Sequence, residues 1–223
     1  MIGTMPQLSI EALLVDMDGT LIDSTAAIEV GWRSFAEHWG LDPDELLSQI
    51  HGRRAADVIA RYASQLPISP EQAIADLPRR IGEALSDVVA LPGALHLLRS
   101  TPTDRLVVVS SATRAEIVLR LAAARLPRAP LMVGADDVDR GKPSPDPYRR
   151  GVQMLGLEPV RCLVLEDAPA GIDSASAAGC MSVGLLTTHT AVEMAGATYI
   201  ADDLSAVTVT SASDALLVTV STS

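Results

Sequence analysis

Side chains that can bind a cation or a phosphate group follow several short apolar segments of this sequence. Carboxylates can hold a hard divalent cation and can also act as nucleophiles. A hydroxyl can donate a hydrogen bond to a phosphate oxygen, and an ammonium group can neutralise part of the phosphate charge. The residues concerned are Asp16, Asp18, Ser110, Lys142, Glu166 and Asp167. If the fold brings them together, they predict one site for a cation and a phosphate group.

Each of these residues also has an ordinary structural explanation when it is considered alone. The explanations are a polar turn for Asp16 and Asp18, a helix cap for Ser110, a solvated turn for Lys142 and an N-cap for Asp167. A calcium loop of the EF-hand type that starts at Asp16 is a poor match, because its twelfth place holds Ala27 instead of Glu. Four independent turns and caps would not be expected to form one ordered set, so we favour a shared site.

The segments before these residues predict a parallel α/β sheet. Apolar segments alternate with helical patterns, and their continuous apolar runs are typical of strands covered on both faces. In such a sheet, ligands bind at the carboxyl ends of the strands. The tail from Val207 is rich in Ser, Thr and Val, which fits either a short final strand or a frayed end. The predicted strands lie at 12–17, 105–111, 131–135, 161–167 and 181–186, and the predicted helices at 113–125, 146–156 and 168–178.

One long segment interrupts this alternation. Residues 23–91 contain helical patterns but no convincing strand. Ser24 or Thr25 could cap a first helix that runs to Trp39. The simplest interpretation is a small helical cap that is inserted after the first strand. The predicted domains are therefore a Rossmann-like core of 1–22 and 92–223 and a cap of 23–91.

Composition narrows the range of partners. The 223 residues carry a formal net charge of −11, which argues against nucleic acid and anionic membranes, because both require basic protein surface. The longest apolar runs, such as 106–109, are far shorter than the roughly 20 residues that span a bilayer. No signal peptide pattern is visible, and Cys162 and Cys180 are expected to be small buried residues. We therefore expect a cytoplasmic protein, monomeric or a small homo-oligomer, that binds a small phosphorylated metabolite.

The sequence resembles the haloacid dehalogenase superfamily through four motifs in the order of that family. They are DMDGTLIDS, VVSSAT, GKPSPDPY and LEDAPAGI, and they extend over residues 12–180. HGRR at 51–54, DDVDRGKPSPDPY at 136–148 and EDAPAGI at 166–172 are most similar to sugar and polyol phosphatases of the 2-deoxyglucose-6-phosphatase and glycerol-phosphatase type. The resemblance implies a capped Rossmann-like fold and a magnesium-dependent phosphatase. Dehalogenases lack an aspartate at the place of Asp18, which argues against dehalogenation.

The same resemblance implies a role for each motif residue. Asp16 would attack phosphorus and form an aspartyl-phosphate, while Asp18 would protonate the leaving alkoxide and later deprotonate water. Ser110 and Lys142 would bind the phosphate group. The implied ligands of Mg²⁺ are Asp16, Asp167 and the backbone carbonyl of Asp18, and Glu166 could contact a metal-bound water.

Residues of the cap are expected to select the substrate. His51 and Arg54 fit the HGxR pattern of the sugar phosphatases that the chain resembles. Ser111, in the second motif, is the third predicted substrate contact. Arg53 is as consistent with a solvated helix position as with a substrate contact. Glu29 and Trp32, on the first cap helix, could face the cleft or pack within the cap.

Two other functions are compatible with these motifs. Enzymes of the β-phosphoglucomutase type share the motifs but return the phosphoryl group to a sugar. They carry a histidine where this chain has Ile28 and an arginine where it has Ala55, and both differences favour transfer to water. A non-catalytic binding or regulatory protein on the same fold would be expected to lack the nucleophile or the lysine. Asp16 and Lys142 are both present, so this third hypothesis ranks last.

Overall fold

A computed structural model describes residues 7–50, 52–82, 85–212 and 214–221 of the chain. In this part of the chain, single strands alternate with single α-helices between residues 89 and 185. The strands are β1 (Gln7–Ile10), β2 (Ala12–Val15), β3 (Ile22–Asp23), β4 (Val89–Ala90), β5 (Leu106–Val109), β6 (Met132–Val133), β7 (Cys162–Glu166), β8 (Met181–Leu185), β9 (Tyr199–Ala201), β10 (Val207–Ala212) and β11 (Ala215–Val220). The helices are α1 (Thr25–Trp39), α2 (Pro43–Leu47), α3 (Ala55–Tyr62), α4 (Pro70–Gly82), α5 (Ala94–Ser100), α6 (Arg114–Ala123), α7 (Asp146–Leu155) and α8 (Pro169–Ala178).

A six-stranded parallel sheet forms the centre of the fold, in the order β6-β5-β2-β7-β8-β9. The chain leaves β2 towards β5 and β6 and returns on the other side of β2 at β7. The sheet therefore has a topological switch point beside β2, where open α/β folds bind ligands. In the register, Val15 pairs with both Val108 and Leu165, so that these three strands end at nearly the same level. The predicted α/β fold class is confirmed.

The sheet is buried on both faces, as its continuous apolar strands predict. Alternate residues of β2 belong to different hydrophobic clusters, with Leu13 and Val15 in one cluster and Leu14 in the other. Cys162 and Cys180 are free and buried in the second cluster, in agreement with the expectation. Packing on both faces therefore fixes the central strands, and it also limits the motion of the residues that directly follow them.

Helices α1 to α4, which we call the cap, have a hydrophobic cluster of their own. Trp32 and Phe35 of α1 pack in it with residues from α2, α3 and α4. Strands β3 and β4 pair antiparallel, with Ile22 opposite Ala90, so both ends of the helical segment lie side by side. This arrangement has the form of an insertion after the first strand of the central sheet. The domain bounds of 23–91 for a cap stay a prediction.

Three strands lie outside the central sheet in a separate antiparallel sheet, in the order β1-β11-β10. The tail from Val207 forms two of these strands, β10 and β11, which settles the choice between a strand and a frayed end. Its alternating burial in β10 explains why a continuous apolar run is missing there. Within the described residues, the longest helices are too short or too polar to cross a bilayer.

Close packing of α1 against α4 depends on Gly31. A Cβ atom added at Gly31 would lie 2.4 Å from Cγ1 and 2.9 Å from Cα of Ile81 in α4. The backbone of α4 would have to move to admit a methyl group, because a contact with main-chain atoms cannot be relieved by a rotamer change. The cap is therefore built around a close approach of two helices.

We expect Gly31→Ala to lower the free energy of unfolding by about 1–3 kcal/mol, the usual cost of overpacking. Gly82→Ala is the matched control, because an added Cβ there meets no heavy atom within 4 Å. That control should be neutral or stabilise by less than about 1 kcal/mol. Urea unfolding of both variants measures the difference. Equal stability of the two variants would show that α1 and α4 do not approach as closely as described.

Candidate active site

A buried lysine joins two of the predicted strand ends. Lys142, in the turn between β6 and α7, donates a short hydrogen bond to Oδ1 of Asp16 and another, at 2.6 Å, to Oε1 of Glu166. Its ammonium group also lies 3.2 Å from the carbonyl oxygen of Val109. All three charged side chains are buried, and Lys142 is 3% exposed. The two carboxylates raise the pKa of Lys142 against the effect of burial, so its ammonium group stays charged.

Three carboxylates meet beside this ammonium group. Oxygens of Asp16, Glu166 and Asp167 lie within 4.8 Å of one another. Burial raises the pKa of Asp16 well above its usual range; Lys142 acts in the opposite direction, and the charges of Glu166 and Asp167 add to the increase. Burial and the charge of Glu166 likewise raise the pKa of Asp167 to about 7. The single ammonium group of Lys142 thus faces three buried carboxylates. This set of oxygen ligands, with its excess of negative charge, fits a hard divalent cation.

Glu166 is fixed by hydrogen bonds to both of its carboxylate oxygens. Oε1 accepts from Lys142 and, at 2.9 Å, from the hydroxyl of Tyr148, while Oε2 accepts from the backbone N–H groups of Asp167 and Ala168 at 3.0 Å. The backbone of α8 approaches this carboxylate so closely that a Cβ at Gly171 would lie 1.7 Å from Oε1. Glu166 therefore acts as a support, and Asp16 and Asp167 are better placed to hold an ion directly.

Asp167 is oriented by two hydroxyl groups. Thr20 donates to Oδ1 at 3.0 Å and Thr188 donates to Oδ2 at 2.5 Å. Gly19 lies against the same carboxylate with φ of +86°, and a Cβ there would be 2.1 Å from Oδ2. Only glycine fits both this conformation and this contact. Each oxygen of Asp167 keeps a lone pair for a further partner.

Asp18 lies in a different environment from Asp16, although only one residue separates them. Its carboxylate accepts hydrogen bonds from Nη1 of Arg120, at 3.0 Å to each oxygen, and from Oγ of Ser24 at 2.6 Å. The cluster of three carboxylates does not include it among the described residues. The implied contact of its backbone carbonyl with a metal stays a prediction.

The two serines of the second motif have different surroundings. Oγ of Ser110 lies 3.4 Å from Oδ2 of Asp18 and accepts a hydrogen bond from the backbone N–H of Ala112 at 3.1 Å. Ser110 thus lies next to the candidate acid–base group. Ser111 donates to the carbonyl oxygen of Gly52 at 2.9 Å, which connects the core to the segment before α3. Both serines line the same cavity.

That cavity lies between the cap and the carboxyl ends of the central strands. Its core wall carries Asp16, Asp18, Ser110 and Asp167, so the structure brings these predicted residues together. Its cap wall is mainly apolar. The cap residues that line it include Ile28, Trp32, Ile50, Arg53, Leu77 and Ile81. Trp32 thus lines the cavity and also packs in the cap cluster, which answers whether it faces the cleft or the cap interior.

The structure places Arg54 outside this cavity lining and Arg53 within it. Arg54 is buried and donates to both oxygens of Asp57 at 2.8 Å. It also donates to the carbonyl oxygens of Val138 and Asp139, both at 2.8 Å, and so connects the cap to the loop before Lys142. This geometry favours Arg53 over the predicted Arg54 as the substrate contact. His51, the other predicted cap residue, lies outside the described residues.

Among the residues that the sequence analysis missed, Thr20, Arg120 and Thr188 orient carboxylates of the site. Thr188 follows the end of β8, so the rule that placed the other residues at strand ends could have identified it. Thr20 lies inside the first motif and was not distinguished from a turn residue. Arg120 gave no signal, because an arginine in the middle of an amphipathic helix is usually solvated.

Comparisons with known proteins identify the family of the chain. Residues 10–179 match the family model of the haloacid dehalogenase-like hydrolases. Hexitol phosphatase A of Escherichia coli (strain K12) is 38% identical over 76% of this chain and 80% of its own length. The 2-deoxyglucose-6-phosphate phosphatase 2 of Saccharomyces cerevisiae is 29% identical over 92% of each chain. The crystal structure of a hydrolase from Pseudomonas syringae superposes with a TM-score of 0.77 at 24% identity, covering 87% of this chain and 94% of that one. The chain therefore belongs to the haloacid dehalogenase-like hydrolases.

Proposed function

We propose that the protein hydrolyses small sugar or polyol phosphate monoesters in two steps, with Asp16 as the nucleophile. The observation that carries this proposal is the state of Asp16. Lys142 binds its Oδ1, while among the described residues no donor is within hydrogen-bond distance of its Oδ2. One carboxylate oxygen is thus held in place and the other remains available to attack phosphorus at the edge of the cavity. Related phosphatases that act on hexitol phosphates and 2-deoxyglucose 6-phosphate support the substrate class.

In the first step, Oδ2 of Asp16 attacks phosphorus and the ester P–O bond breaks. The bonding electron pair leaves with the alkoxide, which takes a proton from Asp18. In this proposal Ser110 binds a transferred phosphoryl oxygen, a function that carries most of the catalysis in phosphoryl transfer. Lys142 lies outside the cavity lining and donates to Asp16, Glu166 and the carbonyl oxygen of Val109, so it holds the nucleophile in place. The products of this step are the free alcohol and an aspartyl-phosphate on Asp16.

In the second step, water attacks the phosphorus of the aspartyl-phosphate. Asp18, which is now ionised, takes a proton from that water, and the bond between phosphorus and Asp16 breaks. The electron pair returns to Asp16, so inorganic phosphate is released and the carboxylate is restored. Asp18 therefore regains the proton that it gave to the alkoxide, and the cycle is balanced.

Asp16 and Asp167 are the residues that would hold a divalent ion, and Mg²⁺ is the ion that we propose. When bound, such an ion reduces the repulsion between an anionic nucleophile and a dianionic ester. The composition of the cluster supports this assignment, because three buried carboxylates face the single ammonium group of Lys142. Thr20 and Thr188 keep Asp167 oriented for that contact.

The cavity walls favour a neutral carbon chain with hydroxyl groups next to the phosphate. Trp32 and Ile50 provide apolar surface for the C–H groups of such a substrate. Arg53 is half-buried, and no acidic partner lies near it among the described residues, so its donors are available to substrate hydroxyls. We infer that Arg53 contributes to the choice among sugar and polyol phosphates.

Arg53 is also the observation that favours the second candidate function. A mutase must bind a bisphosphate, and an arginine on the cap wall that has no acidic partner in the described part of the chain could bind the second phosphate group. Ala55 also lines the cavity but offers no charge, and Ile28 replaces the histidine of the mutases. We therefore rank transfer to water above transfer to a second sugar hydroxyl.

The role of Asp16 is tested by Asp16→Asn, which keeps the shape of the side chain and removes its nucleophilic charge. We expect the rate of phosphate release to fall by about a thousandfold or more, because no other group can form the covalent intermediate. Asp44→Asn is the matched control, since Asp44 is exposed and pairs with Arg33 on the cap surface. Release of phosphate from a panel of sugar and polyol phosphates measures both. A normal rate for Asp16→Asn would disprove the mechanism.

The acceptor of the phosphoryl group is tested with β-glucose 1-phosphate and a trace of the 1,6-bisphosphate. We expect free phosphate to form and glucose 6-phosphate to remain low. Rapid build-up of glucose 6-phosphate with little free phosphate would establish the mutase instead.

The role of Arg53 is tested by Arg53→Ala. This variant should raise KM for sugar and polyol phosphates by about tenfold and leave KM for a small aryl phosphate nearly unchanged, which corresponds to the loss of about one hydrogen bond. Arg61→Ala is the control, because Arg61 lies in α3, the helix that follows Arg53, but outside the cavity lining.

A further inference from the structure

We propose that Arg120 is a positioning residue that holds the carboxylate of Asp18 in the orientation needed for proton transfer. This inference rests on the proposed function, because it assigns Arg120 a part in the same two steps. It concerns an arginine that belongs to none of the four motifs. It also explains why a buried positive charge of α6 lines the cavity.

The contacts of Arg120 are directed at one catalytic group. Its side chain is 7% exposed, and Nη1 lies 3.0 Å from each oxygen of Asp18. The other terminal nitrogen, Nη2, donates to Oε1 of Glu116, one turn earlier in α6, at 3.2 Å. One cation thus stands between two carboxylates, and Glu116 anchors the guanidinium on its own helix. A buried arginine with this pairing is fixed in place, since separating a buried ion pair leaves an uncompensated charge.

Ser24 holds the same carboxylate from the cap side. It is the N-cap residue of α1, where a serine side chain commonly accepts from the first backbone N–H groups of the helix. Here its side chain makes no capping hydrogen bond and instead donates to Oδ1 of Asp18 at 2.6 Å. Arg120 of α6 in the core and Ser24, directly before α1 of the cap, therefore both bind the carboxylate of Asp18. These contacts determine the orientation of its carboxylate.

Orientation matters for Asp18 more than for most carboxylates. It has to come within hydrogen-bond distance of the leaving oxygen in the first step and of the attacking water in the second. A carboxylate that rotates freely is correctly placed for a smaller fraction of the time, which lowers kcat without weakening binding. The effect should be large for an alkoxide, which needs a proton, and small for an aryl phosphate, whose leaving group needs little protonation.

The test is a double-mutant cycle with Arg120→Met and Asp18→Asn, assayed on glycerol 1-phosphate and on p-nitrophenyl phosphate. We expect Arg120→Met to lower kcat on glycerol 1-phosphate by about tenfold to a hundredfold with KM within about twofold, and to lower kcat on the aryl ester by less than about threefold. In the Asp18→Asn background, Arg120→Met should cause no further loss on glycerol 1-phosphate. Arg120→Lys should recover part of the loss, because it restores the charge but not the planar group.

Two results would overturn the inference. An equal loss on both esters, or a full additional loss in the Asp18→Asn background, would show that Arg120 binds phosphate directly or only supports the fold. The proposed function fails in a different way, namely if Asp18→Asn alone affects both esters equally. The two failures are therefore distinguishable in one set of assays.

A control and a milder variant complete the design. Arg80→Met removes another buried arginine, which pairs with Asp76 on α4 and lies outside the cavity lining, and should leave the ratio of the two activities unchanged. If Arg120→Met does not fold, Ser24→Ala removes another donor to Asp18 at smaller cost. We expect it to shift the same ratio by about threefold to tenfold. An unchanged ratio in both Ser24→Ala and Arg120→Lys would overturn the inference.

Discussion

A single buried ammonium group, that of Lys142, determines much of the structure around the site. It binds Asp16 from one strand end and Glu166 from another, and all three side chains are almost fully enclosed. Burial of any of these charges without its partners would be strongly unfavourable, so the turn that carries Lys142 must stay against the ends of β2 and β7. The cluster nevertheless has more negative charge than one lysine balances. Burial, together with the charges of Glu166 and Asp167, raises the pKa of Asp16, and the excess of carboxylate oxygens fits a divalent cation.

The two aspartates of the first motif are given separate environments by the residues around them. Asp16 points into the cluster of buried carboxylates, while Asp18 points to Arg120 and Ser24. Two carboxylates that lie one residue apart can therefore have two functions, nucleophile and proton carrier, because different neighbours act on each. The cap contributes to both, since Ser24 precedes its first helix and its apolar wall closes the cavity above the strand ends.

The sequence predicts five of the six strands of the central sheet, all except β9, and the meeting of motif residues at its edge, because both follow from local patterns. Residues after parallel strands meet at one edge whenever the register aligns the strand ends, as it does for Val15, Val108 and Leu165. The pairing of Arg120 with Asp18 joins residues that are 102 positions apart, and no local pattern contains that information. The choice between Arg53 and Arg54 also needed the structure, because a change of one residue in a turn reverses which side chain faces the cavity. In the antiparallel sheet, the sequence analysis left a strand in the tail open but did not predict β1. That strand is short and pairs with the far end of the chain.

The measurement that tests this account most directly is the free energy of unfolding as a function of pH, with Mg²⁺ and with a chelator. Burial raises the pKa of Asp167 from 3.8 to about 7. At a pH between these two values, the metal-free folded protein therefore keeps a proton that the unfolded chain has released. Asp167 therefore contributes stability below about pH 4 that is lost as the pH rises through about 7. Because a metal ion needs ionised ligands, the added stability from Mg²⁺ should grow over the same range, and Asp167→Asn should abolish most of that growth. An effect of Mg²⁺ that is absent, or equal at about pH 5 and about pH 8, would contradict the claim that the carboxylate cluster is a metal site.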